Sequence, residues 1–144
     1  MNELENKTVK GTEVAFNNTL NEFYHRYVAA LNERNFAVVA TLIPDEVMVN
    51  GQRNKREDVL AGLKWLTDVV PDYKWHIEDL FIDGERIAVR LRDIGTPAKT
   101  FFGAEPTGGS IEFTEFASYR VRGGQFAEMW YLLDTAAITA QLKK

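Results

Sequence analysis

The chain has no cysteine and only two histidines, His25 and His76, among its 144 residues. Without cysteine there are no disulfide bonds and no thiolate chemistry, and two histidines do not suffice for a histidine-rich zinc site. No segment reaches the run of about 20 apolar residues that a membrane span requires. The opening segment MNELENKTVKGTE also lacks the apolar core of a signal peptide. We therefore expect a cytoplasmic protein with no metal, no other cofactor and no membrane partner.

A long basic run is also missing, and the formal net charge is −4. Both features argue against nucleic acid as a partner. With 45% hydrophobic and 26% charged residues, the composition is typical of a soluble globular protein. The length fits one domain over residues 1–144, which would bury roughly 70% of its unfolded surface.

The first third of the chain predicts an amphipathic helix. Residues 1–11 are polar and are expected to fray, with Thr12 as the N-cap and the helix ending near Glu33. Apolar residues recur there at steps of three and four, as on the buried face of a helix. Tyr24 and Tyr27 lie on this stripe. They are either core residues or residues that line a pocket.

Short elements follow. Asn35 is expected to begin a short second helix, and Asp45–Asn50 a short strand. Residues 51–55 predict a polar turn, in which Asn54 caps a third helix. This order predicts three helices before the main sheet.

From Tyr73 the apolar period changes to two, which is typical of strands. Asp83-Gly84 predicts a hairpin turn. In the simplest register one face carries arginines beside apolar residues, namely Arg86, Arg90, Arg92, Trp75, Ile77 and Phe81. Residues 95–110 form a long glycine-rich loop, in which Phe101 and Phe102 predict either a rim over a pocket or a loop end tucked into the core.

A second hairpin is predicted over Ile111–Asp134, with Gly123-Gly124 as its loop. In an unbroken register Val121 faces Phe126, Tyr119 faces Glu128, Ala117 faces Trp130 and Phe113 faces Asp134. One face would then carry Phe113, Tyr119, Phe126, Trp130, Leu132 and Asp134. Both faces are apolar, and three helices cannot cover both. We therefore expect a homodimer through the outer face.

The C-terminal part of the chain contains a set of short motifs between residues 95 and 142. They are Gly95-Thr96, Gly103 with Pro106-Thr107-Gly108, Tyr119-Arg120-Val121, Gly124, Glu128, Trp130, Asp134 and Gln141-Leu142. With three helices ahead of long antiparallel strands, this set resembles the SnoaL-like polyketide cyclase group of the nuclear-transport-factor-2-like (NTF2-like) superfamily. The sequence departs from that pattern at Pro97 and Met129, where many relatives have histidine.

The resemblance implies an α+β fold, a cone-shaped barrel in which a bent antiparallel sheet packs on three N-terminal helices around an apolar cavity. It also implies a cofactor-free enzyme that binds a hydrophobic carbonyl compound and removes its α-proton. The reaction could be an aldol cyclisation, a ketosteroid-isomerase-like double-bond shift, or a lyase step. The alternative is a binding module that uses the same cavity without chemistry.

By the same resemblance, Asp134 is the expected general base. Burial beside Trp130 and Phe113 would raise its basicity by penalising the charged form. The expected donors to the enolate oxygen are Asn50, Tyr24, Tyr27 and Tyr119, and Phe102 is the expected rim residue. The local sequence alone favours a different role for Asp134, as the N-cap of a C-terminal helix.

Overall fold

The computed structural model describes residues 3–143, with side chains described from residue 17 onward. Four helices and six strands follow each other along the chain. In order, they are α1 (Glu3–Asn32), α2 (Phe36–Thr41), β1 (Glu46–Val49), β2 (Gln52–Lys55), α3 (Arg56–Val69), β3 (Lys74–Asp83), β4 (Arg86–Gly95), β5 (Ile111–Arg122), β6 (Gln125–Leu133) and α4 (Thr135–Leu142). In the described part of the chain, no helix has both the length and the apolar character to cross a membrane.

All the strands belong to one sheet, in the order β2-β1-β6-β5-β4-β3. The sheet is bent and does not close on itself. Neighbouring strands are antiparallel except β1 and β6, which pair in parallel through Met48 and Val49. The inner face packs against the helices, and the core includes aromatic residues of α1 such as Phe23 and Tyr24. The expected α+β architecture is confirmed.

The helical predictions hold in part. Asn35 caps α2, since its side-chain oxygen accepts a hydrogen bond from the backbone N–H of Val38. The first helix begins at Glu3 rather than at Thr12, and Met1 and Asn2 lie outside the described residues. The expected turn at residues 51–55 is instead largely strand β2, which pairs with β1. Consequently Lys55, not Asn54, stands at the N-cap position of α3.

The β5–β6 hairpin has the expected loop but a different register. Gly123 and Gly124 both have positive φ, of 57° and 75°, as the turn requires. Val121 pairs with Phe126 and Arg120 with Glu128, so Ala127 is an extra residue on β6 and forms a β-bulge. The expected unbroken register is therefore wrong beyond the bulge. Met129 and Tyr131 turn to the inner face, while Trp130 and Leu132 turn outward.

A second bulge shifts the β3–β4 hairpin. Ile77 pairs with Leu91 and Asp79 with Arg90, which leaves Glu78 without an opposite residue. Trp75 therefore points inward with its partner Asp93, whereas Phe81 and the arginines point outward. The expected grouping of Trp75 and Ile77 with those arginines is wrong, because each bulge exchanges the two faces for the residues beyond it.

The glycine-rich loop is tied to the core at both ends. Its Phe101 is completely buried and forms an isolated bridge with Ala104, while Phe102 remains 41% exposed. Gly95, the last residue of β4 and the first of this segment, passes close to the α3–β3 connection. There the side chain of Asp72 accepts a hydrogen bond of 2.6 Å from the backbone N–H of Thr96. This close approach explains why Gly95 has no side chain.

We predict that Gly95→Ala destabilises the protein by about 1–3 kcal/mol, the usual range for an overpacked core. An added Cβ would overlap Cγ1 of Val70 and would lie 3.2 Å from the backbone Cα of Tyr73. Urea unfolding followed by circular dichroism measures the change. The matched control is Gly109→Ala, since its Cβ would meet only the movable hydroxyl of Thr107. Equal stability of the two variants would contradict the prediction.

Candidate active site

A cavity of about 350 Å³ lies between the inner face of the sheet and helices α1 and α3. Its wall is mostly aromatic and aliphatic. From α1 it is lined by Tyr24, Tyr27, Val28 and Leu31; from α3 by Asp58, Val59, Gly62, Leu63, Trp65 and Leu66; from the strands by Val49, Asn54, Trp75, Leu91, Glu115, Tyr119, Met129, Tyr131 and Leu133; and from the loop by Phe102. Such an apolar pocket with a few converging polar groups is typical of a small-molecule site.

Two carboxyl groups are buried at the inner face of the sheet. Asp93 on β4 is fully buried, and Glu115 on β5 is 7% exposed and reaches the cavity. The hydroxyl of Tyr73 donates a hydrogen bond of 2.5 Å to Oδ2 of Asp93. If Glu115 were ionised, no donor in the described part of the chain would reach Oδ1 of Asp93. Glu115 is the neighbouring acid placed to hydrogen bond to Asp93, so a proton on Glu115 would supply that donor and would be shared by the two acids.

The environment of each carboxyl group agrees with this arrangement. Burial raises the pKa of Glu115 well above its usual range, and the neighbouring charge of Asp93 raises that pKa further. Burial also raises the pKa of Asp93, but hydrogen bonds from Glu115 and Tyr73 oppose the rise. Glu115 is therefore the acid that holds the shared proton more tightly, and Asp93 is the acid that ionises first. Below, we call Asp93 and Glu115 the acid pair.

Tyrosine hydroxyls form the other polar part of the cavity. Tyr24 and Tyr119 hydrogen bond to each other through their hydroxyl oxygens at 3.2 Å. Tyr27 is 3% exposed and lines the cavity, and within the described residues its hydroxyl has no hydrogen-bond partner. Burial raises the pKa of Tyr27, and the nearby carboxyl group of Glu115, once ionised, adds to that rise. Its hydroxyl is therefore a neutral donor that is open to a ligand.

The structure brings some of the predicted site residues together and separates others. Tyr24, Tyr27, Tyr119 and Phe102 all line the cavity. The other predicted binding residues, Phe113, Trp130 and Asn50, do not line it.

Phe113 is buried in the core against Tyr73 and Phe101. Trp130 is 45% exposed on the outer face, because the bulge at Ala127 turns it outward. Asn50 has positive φ, and its side-chain oxygen accepts a hydrogen bond from the backbone N–H of Tyr131, which joins the β1–β2 turn to β6.

Asp134 requires a correction. Its side chain is exposed and does not line the cavity. It caps α4, accepting a hydrogen bond of 3.1 Å from the backbone N–H of Ala137. The predicted burial of Asp134 is wrong, and the prediction of an N-cap is confirmed. The reason is positional: β6 ends at Leu133, and the chain leaves the sheet before an acid could enter the pocket.

The acid pair was missed, although the sequence carries a signal for it. Along β4 the buried positions are Ile87, Val89, Leu91 and Asp93, and along β5 they include Phe113, Glu115 and Ala117. Each acid therefore occupies one of the alternating positions whose side chains point to the buried face of the sheet. A carboxyl group at such a position is rarely buried without a partner, so each acid could have been flagged as a site residue.

Metal ligands do not cluster in the structure. Among the side chains that the structure describes, from residue 17 to residue 143, no three of His, Cys, Asp or Glu are grouped closely enough to hold a metal ion. The acid pair supplies only two carboxyl groups, and Tyr73 already occupies one of their oxygens. The geometry of the pair therefore fits proton transfer better than metal coordination.

We predict that Glu115→Gln increases the free energy of unfolding near neutral pH. Because the folded-state pKa of Glu115 is raised, wild-type stability should fall as pH rises from the unfolded value of about 4.3 toward the folded value. The slope should reach at most about 1.4 kcal/mol per pH unit for one proton. Glutamine takes up no proton, yet its amide can still donate to Asp93.

The measurement is urea unfolding between pH 4 and pH 8. The stability advantage of the variant should grow with pH across this window. Glu22→Gln removes an exposed carboxyl group on α1 and controls for the change in net charge. A constant difference between wild type and Glu115→Gln at every pH would rule out the shared proton.

Comparison with known proteins places this chain in a family. The family model for SnoaL-like polyketide cyclases matches residues 21–142. None of the proteins with curated descriptions matches the chain. A crystal structure of a SnoaL-like polyketide cyclase from Agrobacterium tumefaciens is 29% identical with a TM-score of 0.80, covering 85% of this chain and 97% of that one.

A second similar structure is IdmH from Streptomyces antibioticus, described as a candidate polyketide cyclase. It is 24% identical with a TM-score of 0.78, and the match covers 86% of this chain and 98% of IdmH. At this identity the likeness shows the shared fold. Because the family model spans most of the chain, including both members of the acid pair, this protein belongs to the SnoaL-like polyketide cyclase family.

Proposed function

We propose that the protein is a cofactor-free enzyme that removes a proton α to a carbonyl group in a hydrophobic ligand. The observation that carries the proposal is the acid pair, one member of which opens onto the cavity while the other is held behind it by Tyr73. An ordinary carboxylate is a weak base, and burial makes this pair a stronger one. The family membership supports a cyclase, in which the resulting enolate closes a ring.

In the proposed reaction, Glu115 accepts one proton and gives up another. The α-carbon proton moves to the carboxyl oxygen of Glu115 that faces the cavity, while Glu115 passes its own proton to Asp93. Both acids are then neutral, and the electron pair of the broken C–H bond forms the enolate. That carbon attacks a second carbonyl group of the same molecule, and the alkoxide formed takes a proton back from the pair. Asp93 is thus a positioning residue that stores the proton, and Glu115 is the catalytic residue.

The hydroxyl of Tyr27 is the proposed donor to the enolate oxygen. It is buried, free of hydrogen bonds within the described residues, and close enough to Glu115 for the charge of that acid to affect its pKa. A donor fixed in advance in an apolar site stabilises a developing oxyanion more strongly than water does. Tyr24 and Tyr119, by contrast, already hydrogen bond to each other.

The charges of the residues that line the cavity bear on the charge of the substrate. Among the described residues, the acidic side chains that line the cavity are Glu115 and Asp58, and no Lys, Arg or His of this part of the chain lines it. A carboxylate ligand would be buried without a counter-charge, which is unfavourable. We therefore propose neutral ketones or esters as substrates. A ketosteroid-isomerase-like proton shift is the second candidate reaction, since it needs the same base and donor.

We predict that Glu115→Gln lowers turnover by a factor on the order of 10² to 10⁴, because the amide cannot take up the proton. The measurement is deuterium exchange from D₂O into the α-position of 2-tetralone and larger polycyclic ketones, followed by NMR. Tyr27→Phe should lower the exchange rate by a factor on the order of 10² with little change in ketone affinity. The rate should also fall as pH drops below the raised pKa of the acid pair.

Asp134→Asn is the matched control, because asparagine caps a helix as well as aspartate does. It should exchange at the wild-type rate. If wild type and all variants bind ketones but none exchanges α-protons above the uncatalysed rate, the protein is a non-catalytic binding module that uses the same cavity. If only Asp134→Asn loses activity, the assignment of the base to Glu115 fails.

We further propose that the protein forms a homodimer through the outer face of the sheet. Phe81, Phe116 and Leu132 there are 67%, 58% and 74% exposed. The pairing register places them in adjacent rows across four strands, beside Trp130. They line a groove of about 740 Å³, and an apolar surface of this kind is typical of an interface.

We predict that Phe116→Arg converts a dimer to a monomer without unfolding it, because the side chain of Phe116 is mostly exposed and contributes little to the core. Light scattering coupled to gel filtration measures the mass. Ala61→Arg places the same charge on an exposed position of α3 and should leave the dimer intact. A wild-type protein that is monomeric at every concentration would contradict the proposal.

A further inference from the structure

One residue in the cavity wall has no side chain, namely Gly62 in the interior of α3. The cavity face of this helix also presents Val59, Leu63 and Leu66, which lie one turn or less on either side. Apart from Gly62, every α3 residue that lines the cavity projects a side chain toward it or its mouth. The wall therefore has a gap where the backbone of α3 is bare.

The fold itself does not require this glycine. A Cβ at Gly62 would meet no atom within 4 Å, whereas one at Gly95 would overlap Val70. The backbone of Gly62 is helical and not in the positive-φ region that favours glycine. A glycine in a helix interior is also less favourable for folding than alanine. Local structure and packing would therefore both accept alanine at this position.

The gap lies at the mouth of the cavity. Trp65 and Phe102 line the cavity and are 45% and 41% exposed, with their ring centres 6.0 Å apart in an edge-to-face contact. Their rings border the opening on the side of α3 and the glycine-rich loop. A flat ligand that enters here passes the bare backbone of Gly62 before it reaches the tyrosine hydroxyls.

We propose that Gly62 is a specificity-determining residue, at which the edge of a wide, flat, fused-ring substrate lies against the backbone of α3. The inference rests on the proposed function, in that the cavity is taken as the ligand site. We expect a ligand of two rings to bind in the inner part of the cavity, beside Tyr27 and Trp75, and to stop short of Gly62. A ligand of three or four rings extends to the mouth and needs the space that a side chain would fill.

The test measures binding alone, so that its result does not depend on whether the protein is catalytic. The probes are the neutral phenols 2-naphthol, 9-phenanthrol and 1-hydroxypyrene, which have two, three and four fused rings. Their affinities for wild type, Gly62→Ala and Gly62→Leu are measured by isothermal titration calorimetry. Ala61→Leu is the matched control, because it enlarges a neighbouring exposed residue of α3 that does not line the cavity.

Gly62→Ala should weaken binding of 1-hydroxypyrene by roughly tenfold or more, in the range that one methyl group contributes to discrimination. Binding of 2-naphthol should change by less than about twofold, and Gly62→Leu should extend the loss to 9-phenanthrol. The Tm of Gly62→Ala should rise by about 3 °C, which shows that the loss is not caused by unfolding. Ala61→Leu should bind all three probes as wild type does.

Equal affinities of wild type and Gly62→Leu for all three probes would overturn the inference, as would an equal loss for all of them. Failure of the proposed chemistry looks different. In that case the size-dependent binding would persist, but no variant or wild type would exchange α-protons of ketones with solvent.

Discussion

The arrangement of the cavity depends on one extra residue, Ala127, in strand β6. Side chains alternate strictly along a strand, so a single bulge exchanges the two faces for every residue beyond it. Met129 and Tyr131 thereby join the cavity wall, and Trp130 and Leu132 join the outer groove. The composition of both surfaces follows from this local irregularity, which is why the bulge matters more than any single contact in the hairpin.

A second constraint acts at the inner face of the sheet, where two acids are buried. Two adjacent buried carboxylates would repel each other without water to screen them, so one keeps its proton. Tyr73 then orients Asp93, and Glu115 faces the cavity. Asp93 lies on β4 and Glu115 on β5, and each of these strands pairs with a neighbouring strand on both sides. The acids are therefore held by rigid elements rather than by the loops around the mouth, as catalytic positioning requires.

Much of the fold could be predicted because it depends on local chemistry. Gly123-Gly124 indicated the hairpin loop, Asn35 the start of α2, and the motifs from Gly95 to Leu142 the family. The site was harder to predict. Both alternating sets of residues along β6 are mostly apolar or aromatic, so the sequence does not reveal which residue forms the bulge. An unbroken register then placed Trp130 and Asp134 at the cavity, whereas Asp93 and Glu115 occupy the inner face.

The hydrogen bond between the two acids also limits how the protein can change in evolution. Replacing only Glu115 with an apolar residue would leave Oδ1 of Asp93 buried with no donor, and replacing only Asp93 would remove the acceptor for the proton of Glu115. Either single step creates an unpaired polar group, whereas an exchange of both for apolar residues does not. Substitutions at the two positions are therefore coupled, and we expect both acids to be kept or both to be replaced, although they lie on separate strands.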